Sequence, residues 1–274
     1  MPKVLVVANR TIAGRKLLEA VRDRAGDDAQ FHLVVPLSRP RHGNVIYDHA
    51  ERDAAQLRIE LATAYLGSEG IQVTGEVGDE DPFTAVTDAI ATFPADEIIV
   101  STLPQTRSGW LRRDLVERIQ DETGRLVQHI VTDPEQDGLA VGVTLVVANR
   151  TAGGQELLDQ LRQEAEGEGT RIFIAVVPQE GRDGQAAAVA RQRLTSFLST
   201  LRENGVLASG MIGDPDPFDA IKNALDLFTV DHVVISTLPR TRSGWMRSDL
   251  VARVRNATAA KVDHVEVAME GAPA

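Results

Sequence analysis

The side chains best suited to chemistry in this 274-residue chain lie in two short stretches, and each stretch occurs twice. Ser101-Thr102-Leu103-Pro104-Gln105-Thr106-Arg107-Ser108-Gly109-Trp110 returns as Ser236-Thr237-Leu238-Pro239-Arg240-Thr241-Arg242-Ser243-Gly244-Trp245. Across 101–120 and 236–255, 14 of 20 positions are identical, whereas 12–25 and 152–165 have drifted much further. A recent duplication would raise identity everywhere, so the segment itself is constrained. Hydroxyls, an arginine and a glycine running into a predicted helix suit a phosphate, because free N–H groups and the positive end of the helix dipole face the loop. Ser108 and Ser243 are placed as N-caps, Gly109 and Gly244 allow close backbone approach, and Arg107 and Arg242 can pair a phosphate oxygen. The second stretch is Asn9-Arg10-Thr11, repeated as Asn149-Arg150-Thr151 after an apolar run. A second reading stays open beside the anion site: Ser-Gly as a plain helix cap, Pro104 as a turn residue, and Trp110 and Trp245 as packing or interface residues.

Other clusters point less clearly to chemistry. Asp79, Glu80 and Asp81 form an acidic group that could suggest a metal, but the matching Asp214-Pro215-Asp216-Pro217 reads better as a turn and helix cap. No metal is therefore expected. His129 and His264 correspond on a strand and read as half-exposed strand histidines, with no partner for general-base work. His42 and His49 fit no ligand spacing. The chain has no G-x-x-x-x-G-K-[ST], G-x-G-x-x-G or G-x-S-x-G, and no nucleophile paired with a base, so an enzyme is not expected.

The elements that must position these residues are also duplicated. VLVVANRT at 4–11 matches TLVVANRT at 144–151, and GDEDPF at 78–83 matches GDPDPF at 213–218. The offset is 140 residues at the first pair and 135 at the second, so the second copy is five residues shorter, most simply after its second strand. In the first copy, Val4–Ala8, 31–36, 71–77, 98–100 and 126–131 read as strands. Helices are expected over 12–25, 48–66, from Asp81-Pro82 onward, and from about Ser108 to Glu122. The second copy follows, with helices over 184–202 and 243–256. The pattern predicts an α/β architecture: two tandem five-stranded parallel sheets covered on both faces, over 1–134 and 143–274, with 133–142 as linker. Ligands of such sheets bind at the carboxyl ends of the strands, where both stretches fall.

Composition sets the outer bounds. Zero Cys excludes disulfides, thiolate metal sites and thiol catalysis. The net charge is −11, and both halves are acidic, so no nucleic-acid partner is expected. No apolar run is long enough to span a membrane, and MPKVLVVANR is too short in its apolar part for a signal peptide; a cytoplasmic location is expected.

The order of strands and helices in duplicate, the long helix after strand two, G-D-x-D-P-F, and the strand-four loop running into S-G-W-[LM]-R-x-D-L resemble the universal stress protein family over nearly the whole chain. The resemblance implies a Rossmann-like domain of the adenine nucleotide alpha hydrolase type with strand order 3-2-1-4-5. It implies a stress-response or regulatory role and an intramolecular pseudo-dimer, with a homodimer as a further option. ATP or a related adenine nucleotide is the implied small-molecule partner; other members bind no nucleotide and act through protein partners. In the nucleotide binders an acid follows strand one and main chain follows strand two, which points to Val35, Pro36, Val177 and Pro178. The ligand set read from the residues at the strand ends is Asn9, Arg10, Thr11, Ser101, Thr102, Arg107, Ser108 and Gly109. Its twin set is Asn149, Arg150, Thr151, Ser236, Thr237, Arg242, Ser243 and Gly244. The chain departs from the family pattern in having Asn9 and Asn149 for the acid and no G-x-x-G after strand four, which limits how closely the backbone can approach phosphates.

Overall fold

The computed structural model describes residues 1–26, 28–37, 48–104, 110, 114–239 and 249–268. The chain divides into two compact units, Met1–Ala140 and Val141–Ala274. The first unit holds β1 (Lys3–Val7), α1 (Arg15–Ala25), β2 (Gln30–Pro36), α2 (Asp48–Ser68), β3 (Val73–Gly78), α3 (Pro82–Thr92), β4 (Glu97–Thr102), α4 (Leu115–Thr123) and β5 (Leu126–Val131). The second repeats the series as β6 (Gly142–Val147), α5 (Gln155–Ala165), β7 (Arg171–Pro178), α6 (Gly184–Glu203), β8 (Ala208–Gly213), α7 (Pro217–Leu227), β9 (His232–Thr237), α8 (Leu250–Ala257) and β10 (Lys261–Glu266). Sheet order is β3-β2-β1-β4-β5 in the first unit and β8-β7-β6-β9-β10 in the second, every pairing parallel. Both are the expected 3-2-1-4-5 order.

Parallel strands need helical crossovers, so both faces of each sheet are covered and central strands carry continuous apolar runs. Alternation along β1 divides the core. Leu5 and Val7 pack with Val86 and Ala89 of α3 and Leu115 and Ile119 of α4. Val6 faces the opposite way, toward Leu18 of α1 and Ala62 and Leu66 of α2. The second unit repeats this with Val146 and Ala148 against α5 and α6.

The duplicated G-D-x-D-P-F segment is explained by packing and capping. Gly78 and Gly213 close β3 and β8 where the next helix comes down on the sheet. A Cβ on Gly78 would lie 2.6 Å from Ala85 Cβ, and one on Gly213 would lie 2.7 Å from Ala220 Cβ. Asp79 Oδ1 accepts from the Asp81 N–H at 2.8 Å, and Asp81 Oδ2 accepts from the Thr84 N–H at 3.3 Å. Asp214 and Asp216 do the same work before α7, and a proline sits in the first turn of each helix. The phenylalanine couples helices: Arg118 of α4 lies over the Phe83 ring at 4.2 Å, and Arg253 of α8 over Phe218 at 4.0 Å.

Three sequence expectations change. The helix read as continuous from about Ser108 is broken at Asp114, which is left-handed at φ 48°, so α4 starts at Leu115; residues 105–109 and 111–113 lie outside the described residues. Asp249, at φ 54°, sets the start of α8 in the same way. The five-residue deficit is the net of two changes. The register pairs Val7 with Val34 and Val147 with Val176, so the copies are offset by 142 residues at the second strand, against 140 at the first and 135 from the third onward. The second unit thus has two more residues before its second strand and seven fewer after it. Finally, most of the stretch read as a linker is folded against the first unit. Lys16 Nζ meets Asp137 Oδ2 at 2.9 Å, Gly14 and Leu139 form an antiparallel bridge, and the Ala140 N–H donates to the Ala13 carbonyl at 3.0 Å.

Candidate functional site

The strand order places the switch point between β1 and its two neighbours, and the predicted residues that the structure describes gather at that carboxyl edge. Asn9, Arg10 and Thr11 leave β1; Val35 and Pro36 end β2; Ser101 and Thr102 end β4. Their twins Asn149, Arg150, Thr151, Val177, Pro178, Ser236 and Thr237 occupy the same places in the second unit. Arg107, Ser108, Gly109, Arg242, Ser243 and Gly244 lie outside the described residues.

The asparagines tie the edge together. Asn9 Nδ2 donates to the Pro36 carbonyl at 2.5 Å, and Asn149 Nδ2 to the Pro178 carbonyl at 3.0 Å. These are the strand-two carbonyls that the resemblance offers to a nucleoside. An amide can donate there, whereas an ionised carboxylate only accepts, which gives asparagine at 9 and 149 a structural reason. Asn149→Asp therefore costs the second unit about 1–3 kcal/mol by leaving two acceptors face to face. Urea unfolding of this variant beside Asn149→Ser is the check; equal stability of Asn149→Asp and the native chain contradicts it. Thr11 Oγ1 donates to the Ser101 carbonyl at 3.4 Å and Thr151 Oγ1 to the Ser236 carbonyl at 3.1 Å, clamping the β1 and β6 exits to the neighbouring strand.

Ser101 and Ser236 are each 1% exposed, and neither hydroxyl has a hydrogen-bond partner among the described residues. Such a group is uncommon in a folded interior, and here it recurs at the same position of both units. The neighbouring threonines are engaged: Thr102 Oγ1 pairs with His129 Nε2 at 2.9 Å and Thr237 Oγ1 with His264 Nε2 at 2.8 Å. Desolvation holds both histidines below the ordinary imidazole value. Trp110 is partly buried against the α3–α4 side of the first core, in agreement with a packing role.

Sequence reasoning missed three residues at this edge. Arg58 of α2 is 7% exposed, and burial first, then repulsion from Arg10, pushes its pKa down to about 9. Its twin Arg193 of α6 donates to Asn149 Oδ1 and lies 3.1 Å from Glu180 Oε1. Arg150 also grips Glu180, whose carboxyl is held below its usual range by the Arg150 hydrogen bond, with Arg193 adding to it against partial burial. The available signal was a charged residue within the apolar stripe of residues 54–65.

No family model matches the chain, and no curated protein matches it. Among solved structures, one similar to it is a universal stress protein family member from Burkholderia pseudomallei, 18% identical, covering 47% of this chain and 94% of that one with a TM-score of 0.37. A universal stress protein from Archaeoglobus fulgidus DSM 4304 is 12% identical and covers 98% of this chain and 97% of that one, with a TM-score of 0.36. A universal stress protein in complex with cAMP is 14% identical and covers 48% of this chain and 98% of that one, with a TM-score of 0.32. No helix among the described residues is long and apolar enough to cross a membrane.

Proposed function

We propose that the chain is a tandem, two-domain protein of the universal stress protein type, with a regulatory or stress-response role in the cytoplasm and no catalytic activity of its own. Its small-molecule partner is an adenine nucleotide, such as ATP, or another phosphate-bearing ligand held at the loop after β4 and β9. The observation that carries this reading is the pair of buried hydroxyls, Ser101 and Ser236, at the foot of that loop, each without a partner among the described residues. The 3-2-1-4-5 order of both sheets and the duplicated loop sequence support it.

A nucleotide-free interaction module is the second reading. It is favoured by the commitment of Asn9 and Asn149 to the strand-two carbonyls, where a nucleoside would compete. Thermal unfolding with ATP, AMP and cAMP at millimolar concentration separates the two. A ligand at 100 times its Kd stabilises by about 2.7 kcal/mol, a shift of several degrees. The expected result is such a shift in the native chain and its loss in Arg107→Ala plus Arg242→Ala. No shift with any of the three nucleotides leaves the interaction module.

A further inference from the structure

In the second unit, two arginines at the carboxyl edge share one carboxylate. Arg150, just past β6, donates from Nε to Glu180 Oε1 at 2.7 Å and from Nη2 to Oε2 at 3.3 Å. Arg193 of α6 brings Nη1 to 3.1 Å from the same Oε1. Among the described residues, neither guanidinium meets a second acid. Two positive charges therefore face one negative charge, and the group carries a surplus of one. A carboxylate matches the fork of Arg150 in shape but cannot balance Arg193 as well. A phosphate monoester carries about −1.5 to −2 at pH 7 and offers three acceptor oxygens, which suits both guanidiniums.

The arginines are held in place without Glu180. Arg193 donates to Asn149 Oδ1, and Asn149 Nδ2 donates to the Pro178 carbonyl at 3.0 Å, so a neutral amide fixes Arg193 to the end of β7. The turn carrying Arg150 is closed by main-chain bonds, from the Ala152 N–H to the Asn149 carbonyl at 3.1 Å and from the Gly154 N–H to the Thr151 carbonyl at 3.0 Å. Thr151 Oγ1 ties the same turn to β9. Glu180 is anchored only through its neighbour: the Gln179 N–H and side-chain amide both donate to the Gly213 carbonyl at 3.2 Å. The Glu180 side chain is 35% exposed and that of Arg150 62%. An ion pair this open adds little to stability, so the carboxylate can rotate away at small cost while both arginines stay.

We propose that the second unit binds the phosphate group of a small ligand between Arg150 and Arg193, and that Glu180 is a gate on this seat, an internal competitor that the phosphate displaces. Arg150 supplies the fork to two oxygens, and Arg193 neutralises the remaining charge. The gate sets the affinity. The apparent dissociation constant exceeds the intrinsic one by the inverse of the fraction of chains in which Glu180 has swung out. The seat lies at the exits of β6 and β7, and it does not require a nucleotide at the loop after β9.

Calorimetric titration of the full chain with inorganic phosphate, and separately with acetate, in a chloride buffer at pH 8 tests this. If one chain in ten is open, Glu180→Gln tightens phosphate binding about tenfold over the native chain. Adding Arg150→Ala to Glu180→Gln should remove that gain, and the exposed position of Arg150 keeps the fold intact. Glu168→Gln removes the same charge ahead of β7, at the opposite edge of the sheet, and should bind phosphate as the native chain does. The proposal is overturned if Glu180→Gln binds phosphate no more tightly than the native chain, if the gain survives Arg150→Ala, or if Glu168→Gln shows it too. Equal tightening for acetate overturns the assignment to phosphate. Failure of ATP, AMP and cAMP to bind the native chain, with the Glu180→Gln gain intact, removes the nucleotide reading alone.

Discussion

Replacing Glu164 by Ala lowers the stability of the second unit by about 2 kcal/mol, the cost of leaving buried donors without their acceptor, and leaves the first unit unchanged. Glu164 Oε1 accepts from Thr144 Oγ1 and faces His232 Nδ1, each at 2.6 Å, and Arg171 Nε lies 3.4 Å away. Thr144 is fully buried, and the His232 side chain is 8% exposed. Removing the carboxylate strands Thr144 Oγ1 and His232 Nδ1 without their acceptor, while Arg171 keeps Asp231 Oδ1 at 2.6 Å. Asp263 completes the cluster, with Oδ2 at 3.0 Å from His232 Nε2 and 2.5 Å from Lys261 Nζ. Burial works to raise Glu164, but the hydrogen bonds from His232 and Thr144 and the charges of His232 and Arg171 outweigh it and hold it below the usual carboxylate range. Asp263 is lowered chiefly by the Lys261 hydrogen bond, against partial desolvation. As pH falls, the unfolded chain takes up these protons first. The stability they contribute is complete above about pH 4.5, near ordinary carboxylate values, and is lost as pH falls through their lower folded values. Hydrogen exchange of the full chain, resolved by unit, should show the Glu164→Ala loss at pH 7 in the second unit only. The acid dependence of that unit should be shallower in Glu164→Gln. Equal protection of native and Glu164→Ala second units contradicts the assignment.

Gly78→Val and Gly213→Val each destabilise their own unit by about 3 kcal/mol, at the upper end of overpacking costs. The strand preference of valine acts in the opposite direction but spans only about 1 kcal/mol, so sterics win. Beyond the helix contact, the added Cβ would lie 2.8 Å from Val34 Cγ1 at Gly78 and 2.9 Å from Val176 Cγ1 at Gly213. The new side chain is thus caught between sheet and helix, with no flexible chain end to yield. Gly67→Ala is the control, since nothing lies within 4 Å of a Cβ there and the residue is helical. Unit-resolved exchange should show loss in the mutated half and none in the control. A Gly78→Val chain as stable as the native one contradicts the packing account.

Much of this fold was legible because both sheets are buried on two faces. Continuous apolar runs mark every central strand, and β5 runs from Leu126 to Val131 as its sequence predicts. Asp81 and Pro82 gave the start of α3 because a cap and a first-turn proline are local signals. The start of α4 was not legible: apolar periodicity records which face a residue occupies, and one left-handed Asp114 leaves that record unchanged. At the site, the motifs pointed to the carboxyl edge, and Asn9 and Thr11 follow β1 there. Their partners were hidden, because Pro36 and Ser101 receive them through main-chain carbonyls, which carry no sequence signal. Glu180 was invisible for a different reason. It has no counterpart in the other copy, and repeats draw attention to what is shared.

One difference between the units bears on how a chain with two near-twin domains assembles. In the first, Arg24 of α1 meets Glu97 of β4 at 3.0 Å. In the second, the same two positions hold Glu164 and His232, with the acid moved from strand to helix. Were α5 to dock on the wrong sheet during synthesis, Glu164 would be pressed against Glu97, carboxylate to carboxylate. Tandem relatives are prone to such exchange errors, and the inverted pair works as a key that turns in one lock only.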